Sequence, residues 1–279
     1  MIMLDHAGWG LALLPELGGA ISSLRHDGRD VLRPTPAGAR DPLEAACFPL
    51  VPYANRIAHG RFAFDGQDYH LPLNADGQPH PLHGVGWQRA WEVGAVDLES
   101  ATLHHRQAAD VDWPWSYAAE QHFRLSERGL QVTLSVTNRD PRPMPAGLGF
   151  HPYFPASPDT RLTFDAESVW LADAEMLPTD PAEVAHLADW SAGDAVQRTC
   201  LIDNAYAGWS GQARIDAPFG TLHLTGESTP YLHVFMLPGA DFFCAEPVSD
   251  MPDAPNRTPG MTALAPGETR QIGMALTLS

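Results

Sequence analysis

The chain has no lysine: all 17 of its basic residues are arginine. Without an ε-amino group there can be no Schiff base to a carbonyl substrate, no anchor for pyridoxal phosphate and no P-loop lysine. Basic groups are also outnumbered, 17 against 34 acidic residues, for a formal charge of −17. That balance repels nucleic acid and anionic lipid, and no basic stripe offsets it. Cysteine is scarce: Cys47, Cys200 and Cys244 form neither a C-x-x-C pair nor a disulfide framework, as in a reducing compartment. Long apolar runs are missing, none reaching the roughly 18 residues of a membrane span. The opening MIMLDHAGWG lacks the basic segment of a secretory leader. The expectation is a cytoplasmic protein whose partner is a small neutral molecule, with no nucleic acid, no membrane and an open oligomeric state.

Helical periodicity is nearly absent, whereas 26 prolines and 24 glycines are spread along the 279 residues and imply many turns. GLQVTLSVTN alternates Leu130, Val132, Leu134 and Val136 with polar residues, and the C-terminal TRQIGMALTLS does the same with Ile272, Met274, Leu276 and Leu278. Both predict half-buried strands. Asp27-Gly28 and Asp65-Gly66 sit between short apolar runs and predict hairpins, since glycine accepts the positive φ of a type I′ turn. QARI and TLHLTGE predict a third hairpin with a longer loop. Only DPLEAAC from Asp41 and DPAEVAHLADW from Asp180 open like helices, with Asp as cap and Pro at the first position. With no repeat, linker or composition break, residues 1–279 read as a single all-β domain, a large antiparallel β-sandwich with few short helices.

Catalytic signatures are mostly missing as well. There is no G-x-S-x-G, no H-E-x-x-H, no Cys-His set at zinc spacing and no glycine fingerprint for a dinucleotide. His80 and His83, three apart, would point to opposite faces of a strand. No metal and no cofactor are therefore expected. What remains is a set of polar residues in loop-like segments: Asn55 and Arg56 in PYANRIAHGRF, His83 and Trp87 in PLHGVGWQRAW, His151 in GFHPYF, Asp203 in LIDNAY and Glu246 in FFCAEPVSD. Each has an ordinary alternative, such as a bridge, a turn cap or a core tryptophan. Glu246 is the odd one, a carboxylate between an apolar run and a proline. His151 is framed by Gly147, Gly149 and Pro152, as if the ring must be aimed.

In order and spacing these segments resemble the aldose 1-epimerase (galactose mutarotase) family nearly end to end, from LLPELGGAISSLRHDGRDVLR through PYANRIAHGRF, PLHGVGWQRAWEV, GFHPYFP and LIDNAY to CAEPVSDMPDAPN and LAPGETRQIGMALTLS. The resemblance implies a galactose mutarotase-like β-sandwich with the sugar site on a concave sheet face. It assigns Glu246 as catalytic base and His151 as catalytic acid. His83, Asp203 and Arg56 would hold the sugar, with Asn55 and Trp87 as neighbours. The implied reaction interconverts the α and β anomers of an aldose: the C1 hydroxyl loses a proton, the ring oxygen gains one, the ring opens, and it closes on the other face. A carboxylate at 246 and an imidazolium at 151, on opposite sides of the hemiacetal, would suffice. Three alternatives stand beside it. A carbohydrate-binding protein would use the pocket without turnover. A glycoside hydrolase would pair Glu246 with Asp203 or Asp253. A hexose-6-phosphate mutarotase would bind its phosphate through Arg56, Arg61 or Arg89.

Overall fold

A computed structural model describes residues 1–279, with 24 strands against six 3-10 helices of three residues each. Most strands fall in two antiparallel sheets, of eleven and nine strands, with two two-stranded ribbons beside them. The inner faces of the two sheets share one cluster of 56 buried residues. Leu130, Val132, Leu134 and Val136 enter it from the nine-stranded sheet, and Phe150, Phe154, Leu232, Val234 and Phe243 from the eleven-stranded one. The architecture is the antiparallel sandwich expected from the alternating patterns.

The alternating segments become the strands Gly129–Asn138 and Thr269–Leu278, paired with each other. Asp27-Gly28 and Asp65-Gly66 are hairpin turns, all four residues having positive φ. The third hairpin is tighter than its sequence suggests. Its strands run to Ala217 and restart at Gly220, leaving only Pro218 and Phe219 in the turn, and Thr221 Oγ1 donates to Asp216 Oδ1 across the ladder at 2.8 Å. The two helix-like openings diverge from expectation. Asp41 does cap a helix with a complete capping box, but it is one 3-10 turn, Pro42–Glu44. Asp180 caps nothing: Pro178–Ala182 is an outer strand of the large sheet, where prolines cost no ladder bond, and only Val184–His186 coils.

Five neighbouring strands of the large sheet position the chemistry: Cys47–Leu50, Gly149–Pro155, Phe242–Val248, Tyr231–Met236 and Ile202–Ala207, adjacent in that order. Side chains alternate between faces. Phe150, Phe154, Phe243, Ala245, Leu232 and Val234 turn into the shared core. The residues between them, His151, Tyr153, Cys244, Glu246 and His233, turn to the other face. Register does the rest. Gly149 pairs with Val248 and Tyr153 with Cys244, which brings His151 level with Glu246. Glu246 pairs in turn with His233. Asp203 is two residues from Ala205, the partner of His233, and so lies diagonal to it on the same face.

Gly149 is required for this close row: a Cβ there would stand 2.7 Å from Val248 Cγ1 and 2.8 Å from Leu50 Cδ1. Gly84 is required for the loop that brings His83 over the sheet. Its φ is +71°, and a Cβ would lie 2.3 Å from the Val51 carbonyl oxygen. Gly84→Ala is therefore expected to cost ~1–3 kcal/mol in backbone strain alone. Urea denaturation checks this: the midpoint should fall with the slope unchanged.

Candidate active site

The row His151, Glu246 and His233 forms the floor of a pocket of about 220 Å³. That is below the roughly 300–1,000 Å³ of drug-sized sites and suits a single sugar ring. His151 Nε2 is 3.3 Å from Glu246 Oε1, with both side chains almost wholly enclosed. Phe48 stacks on the His151 ring at 4.6 Å and Tyr153 at 4.8 Å, and the Arg33 guanidinium lies 3.8 Å from the Tyr153 ring centre. The imidazole is thus held by aromatic packing, while His151 Nδ1 and Glu246 Oε2 are enclosed without a hydrogen-bond partner in the chain.

A second group is tied together by hydrogen bonds, although Arg56 Nε and His233 Nδ1 lack partners. Arg56 Nη2 donates to Asp203 Oδ2 at 2.9 Å, and His233 Nε2 donates to Asp203 Oδ1 at 2.6 Å. A carboxylate only accepts, so the His233 proton must sit on Nε2. Asn55 Oδ1 accepts from the Arg56 backbone N–H and from Arg56 Nη1, completing the clamp. Asn55 and His83 both adopt left-handed backbone and bond each other twice: Asn55 N–H donates to His83 Nδ1 at 3.1 Å, and His83 N–H donates to the Asn55 carbonyl at 2.8 Å. With Nδ1 accepting, neutral His83 carries its hydrogen on Nε2, as a donor for an oxygen in the pocket. Strained backbone of this kind persists where surrounding structure holds it, often at functional sites.

The electrostatics split the two groups. Burial pushes the Glu246 carboxyl well above the usual carboxylate range, and the Asp203 charge adds to the shift. Burial lowers His151 to about 3, with further lowering from His233. His83 is lowered well below its ordinary value, first by burial and then by His151 and Arg56. Burial also opposes the Asp203 charge, but the His233 hydrogen bond and the Arg56 charge outweigh it and hold Asp203 below its ordinary value. In the empty pocket the ionised pair is therefore Arg56–Asp203, while Glu246 and His151 share one proton that sits on the carboxyl. The carboxylate–imidazolium form expected for the free pair is not the one that burial favours.

Of the seven residues singled out in the sequence, six line this pocket: Asn55, Arg56, His83, His151, Asp203 and Glu246. Trp87 does not. Its indole N–H is spent on the Leu82 and Gly84 carbonyls, and its ring stacks on Phe48 at 5.4 Å, so it supports the pocket from behind. Glu246 and His151 also touch directly instead of standing on opposite sides of a ring. The physical reason is the shared register, and side-by-side placement suits two oxygens bonded to one carbon. Asp253 is a loop organiser, accepting from the Ala58 N–H at 2.9 Å and from Asn256 at 2.7 Å. His233 and Gln78, which also line the pocket, carry no motif. The alternation in YLHVFM puts His233 on one face, but only pairing with Glu246 makes that face matter.

Two side-chain groups have the spacing of a metal site. Exposed His59 and Glu175 meet buried His80, whose Nδ1 accepts from the His59 N–H and whose Nε2, which then carries the hydrogen, lies 3.6 Å from Glu175. His151, Cys244 and Glu246 are the floor itself, and burial raises Cys244 well above the usual thiol range, keeping it protonated. In the first set only His80 has both ring nitrogens committed, whereas His59 and Glu175 are exposed and carry lone pairs.

A match to the aldose 1-epimerase family spans residues 1–277. The chain belongs to the aldose 1-epimerase family. It is thereby an isomerase, an epimerase acting on carbohydrates. The uncharacterized protein YphB of Escherichia coli (strain K12) is 36% identical over 274 residues, covering 93% of this chain and 92% of that one. The crystal structure of a putative aldose 1-epimerase from Escherichia coli K12 superposes with a TM-score of 0.92 at 34% identity, over 99% of this chain and 98% of the other. Galactose mutarotase of Rattus norvegicus is 28% identical over 135 residues, 45% of this chain and 39% of its own length.

The two buried groups of this epimerase make opposite contributions to stability. Asp203→Ala strips a buried arginine of its counter-charge and should cost ~3–5 kcal/mol. Glu246→Gln removes a carboxyl that burial raises well above its ordinary range, a shift that costs stability above that range. It should leave stability unchanged or raise it by up to ~1 kcal/mol. Denaturant midpoints of the two variants read the contrast directly.

Proposed function

We propose that this epimerase interconverts the α and β anomers of a free, uncharged aldose by cofactor-free proton transfer between the substrate, Glu246 and His151. The observation that carries the reading is the 3.3 Å contact of His151 Nε2 with Glu246 Oε1 on the floor of a pocket for one ring. Sugar hydroxyls entering the pocket bring hydrogen bonds that favour the ionised carboxylate. The single proton then passes to His151. Glu246 takes the C1 hydroxyl proton while His151 gives its own to the ring oxygen, and the C1–O bond opens. That leaves a carboxylic acid and a neutral imidazole, the protonation that burial already favours. The open-chain aldehyde turns about C1–C2, and the reverse transfers close the ring on its other face. His83 Nε2–H, Arg56 and Asp203 orient the ring through its hydroxyls.

The other readings fit less well. A hydrolase needs a second free carboxyl group, but Asp203 is held by Arg56 and His233, and Asp253 by the loop it caps. A phosphorylated sugar needs an uncommitted cation in the pocket. Arg56 is neutralised by Asp203, and Arg89 pairs with Asp112 away from the pocket. A binding protein has no use for a buried acid that destabilises it. We place the reaction in the cytoplasm, a reading supported by the three free thiols, and take residues 1–279 as one catalytic unit because a single core cluster spans both sheets.

NMR exchange between the anomers of glucose or galactose tests the reaction. His151→Asn and Glu246→Gln should each lower kcat by ~10²–10⁴ with the fold retained, whereas Arg56→Ala should act mainly on KM. Unchanged exchange in either of the first two variants refutes the assignment. The pH profile of kcat/KM is a separate check. A lowered histidine stays neutral at every pH above its folded value, so the acid limb should fall near 3 and not near the ordinary 6.5. The basic limb follows the raised Glu246, as the pair loses its one proton.

A further inference from the structure

Arg33 is a cation beside the site that the reaction above does not use. On the pocket face of the large sheet, His151 and Tyr153 follow one another along one strand, and Glu246, Cys244 and Phe242 along the next, with Tyr153 level with Cys244. The Arg33 guanidinium closes the end of these two rows, 3.8 Å from the centre of the Tyr153 ring and 4.6 Å from that of Phe242. Its Nη2 donates to the Leu43 and Ala45 carbonyls at 2.9 and 3.0 Å, its backbone N–H donates to the Tyr153 carbonyl at 2.8 Å, and Nε is enclosed without a partner. No carboxylate pairs with it, unlike Arg56, which Asp203 neutralises. Carbonyls and aromatic faces hold such a charge without cancelling it.

Resting on the reading above, in which His151 gives its proton to the ring oxygen, we infer that Arg33 is a positioning residue for that transfer: it holds Tyr153 against the imidazole, and its uncancelled charge opposes positive charge on His151. Neither effect needs contact with the sugar, and Arg33 does not line the pocket. Tyr153 is the link, its ring stacked on His151 at 4.8 Å with 23° between the planes. Arginine suits the post because a planar guanidinium can lie on a ring while donating in its own plane. The opposed charge makes the imidazolium a stronger acid toward the ring oxygen. His151 is lowered first by burial and then by His233, and Arg33 adds to them against Asp203. The other groups around the imidazole are Glu246 and Cys244 on one neighbouring strand, Cys47 on the other, His83 on the loop above, and Arg56 across the pocket.

Two variants test the role, read by the ¹⁵N titration of His151 and by anomer exchange on glucose or galactose. In Arg33→Gln the amide can still donate to the Leu43 carbonyl, so the fold is kept while the charge is lost. Removing a nearby positive charge favours the imidazolium, so the titration and the acid limb of kcat/KM should both move up by about one pH unit. The loosened Tyr153 should lower kcat about tenfold with KM within about twofold. Arg33→Lys returns the charge but not the stacking plane: its titration should lie near the wild-type position while kcat stays low. An unmoved titration or an undiminished kcat in Arg33→Gln, or full kcat in Arg33→Lys, overturns the role alone. Absence of exchange on any sugar in the wild type overturns the reaction, and this role with it.

Discussion

The contact between Glu246 and His151 is the constraint on which the site depends. Two ionisable groups lie on adjacent antiparallel strands, level in register and closed off from water. Either charged form has to be desolvated, so the pair keeps one proton and the neutral arrangement. In the proposed reaction the substrate's hydroxyls supply the hydrogen bonds that make separation of charge tolerable, which would tie activation to occupancy. Two groups side by side also match the geometry of a hemiacetal, whose two oxygens share a carbon.

Around this pair the chain builds a charge-compensated frame. Arg56, Asp203, His233 and Asn55 form a compact hydrogen-bonded clamp, with Asp203 taking donors on both oxygens. His83 is locked into one tautomer by the backbone of Asn55. Phe48 and Tyr153 hold the His151 ring by packing, and Arg33 covers Tyr153 from above. The frame contributes stability, whereas the pair costs it. Such a division is common where catalysis needs a group in a protonation state that water would not allow.

Much of the architecture was legible in the sequence because period-two alternation and Asp-Gly turns are local signals. Leu130 to Val136 and the turn at Asp65-Gly66 needed no tertiary information. Asp180 misled because a capping pattern also fits a sheet edge, where Pro181 loses no ladder bond. Six of the seven candidate residues converge, yet their convergence depends on strand register and on loops that join residues as far apart as Arg56 and Asp203, 147 positions, which no local pattern carries. His233 escaped notice for that reason: it matters only as the partner of Glu246 and Asp203. The protonation of the pair was hidden too, since burial, and not residue type, decides it. Trp87 is a neighbour of the pocket through Phe48 and His83 and does not line it, a distinction no sequence context carries.

The most direct measurement is the ¹⁵N chemical shift of the His151 imidazole in the free protein between about pH 5 and pH 8, assigned by comparison with His151→Asn. A buried ring lowered to about 3 must give the shifts of a neutral imidazole throughout that range. Imidazolium shifts at neutral pH in the empty pocket would contradict the account, because Glu246 would then be ionised before any sugar binds.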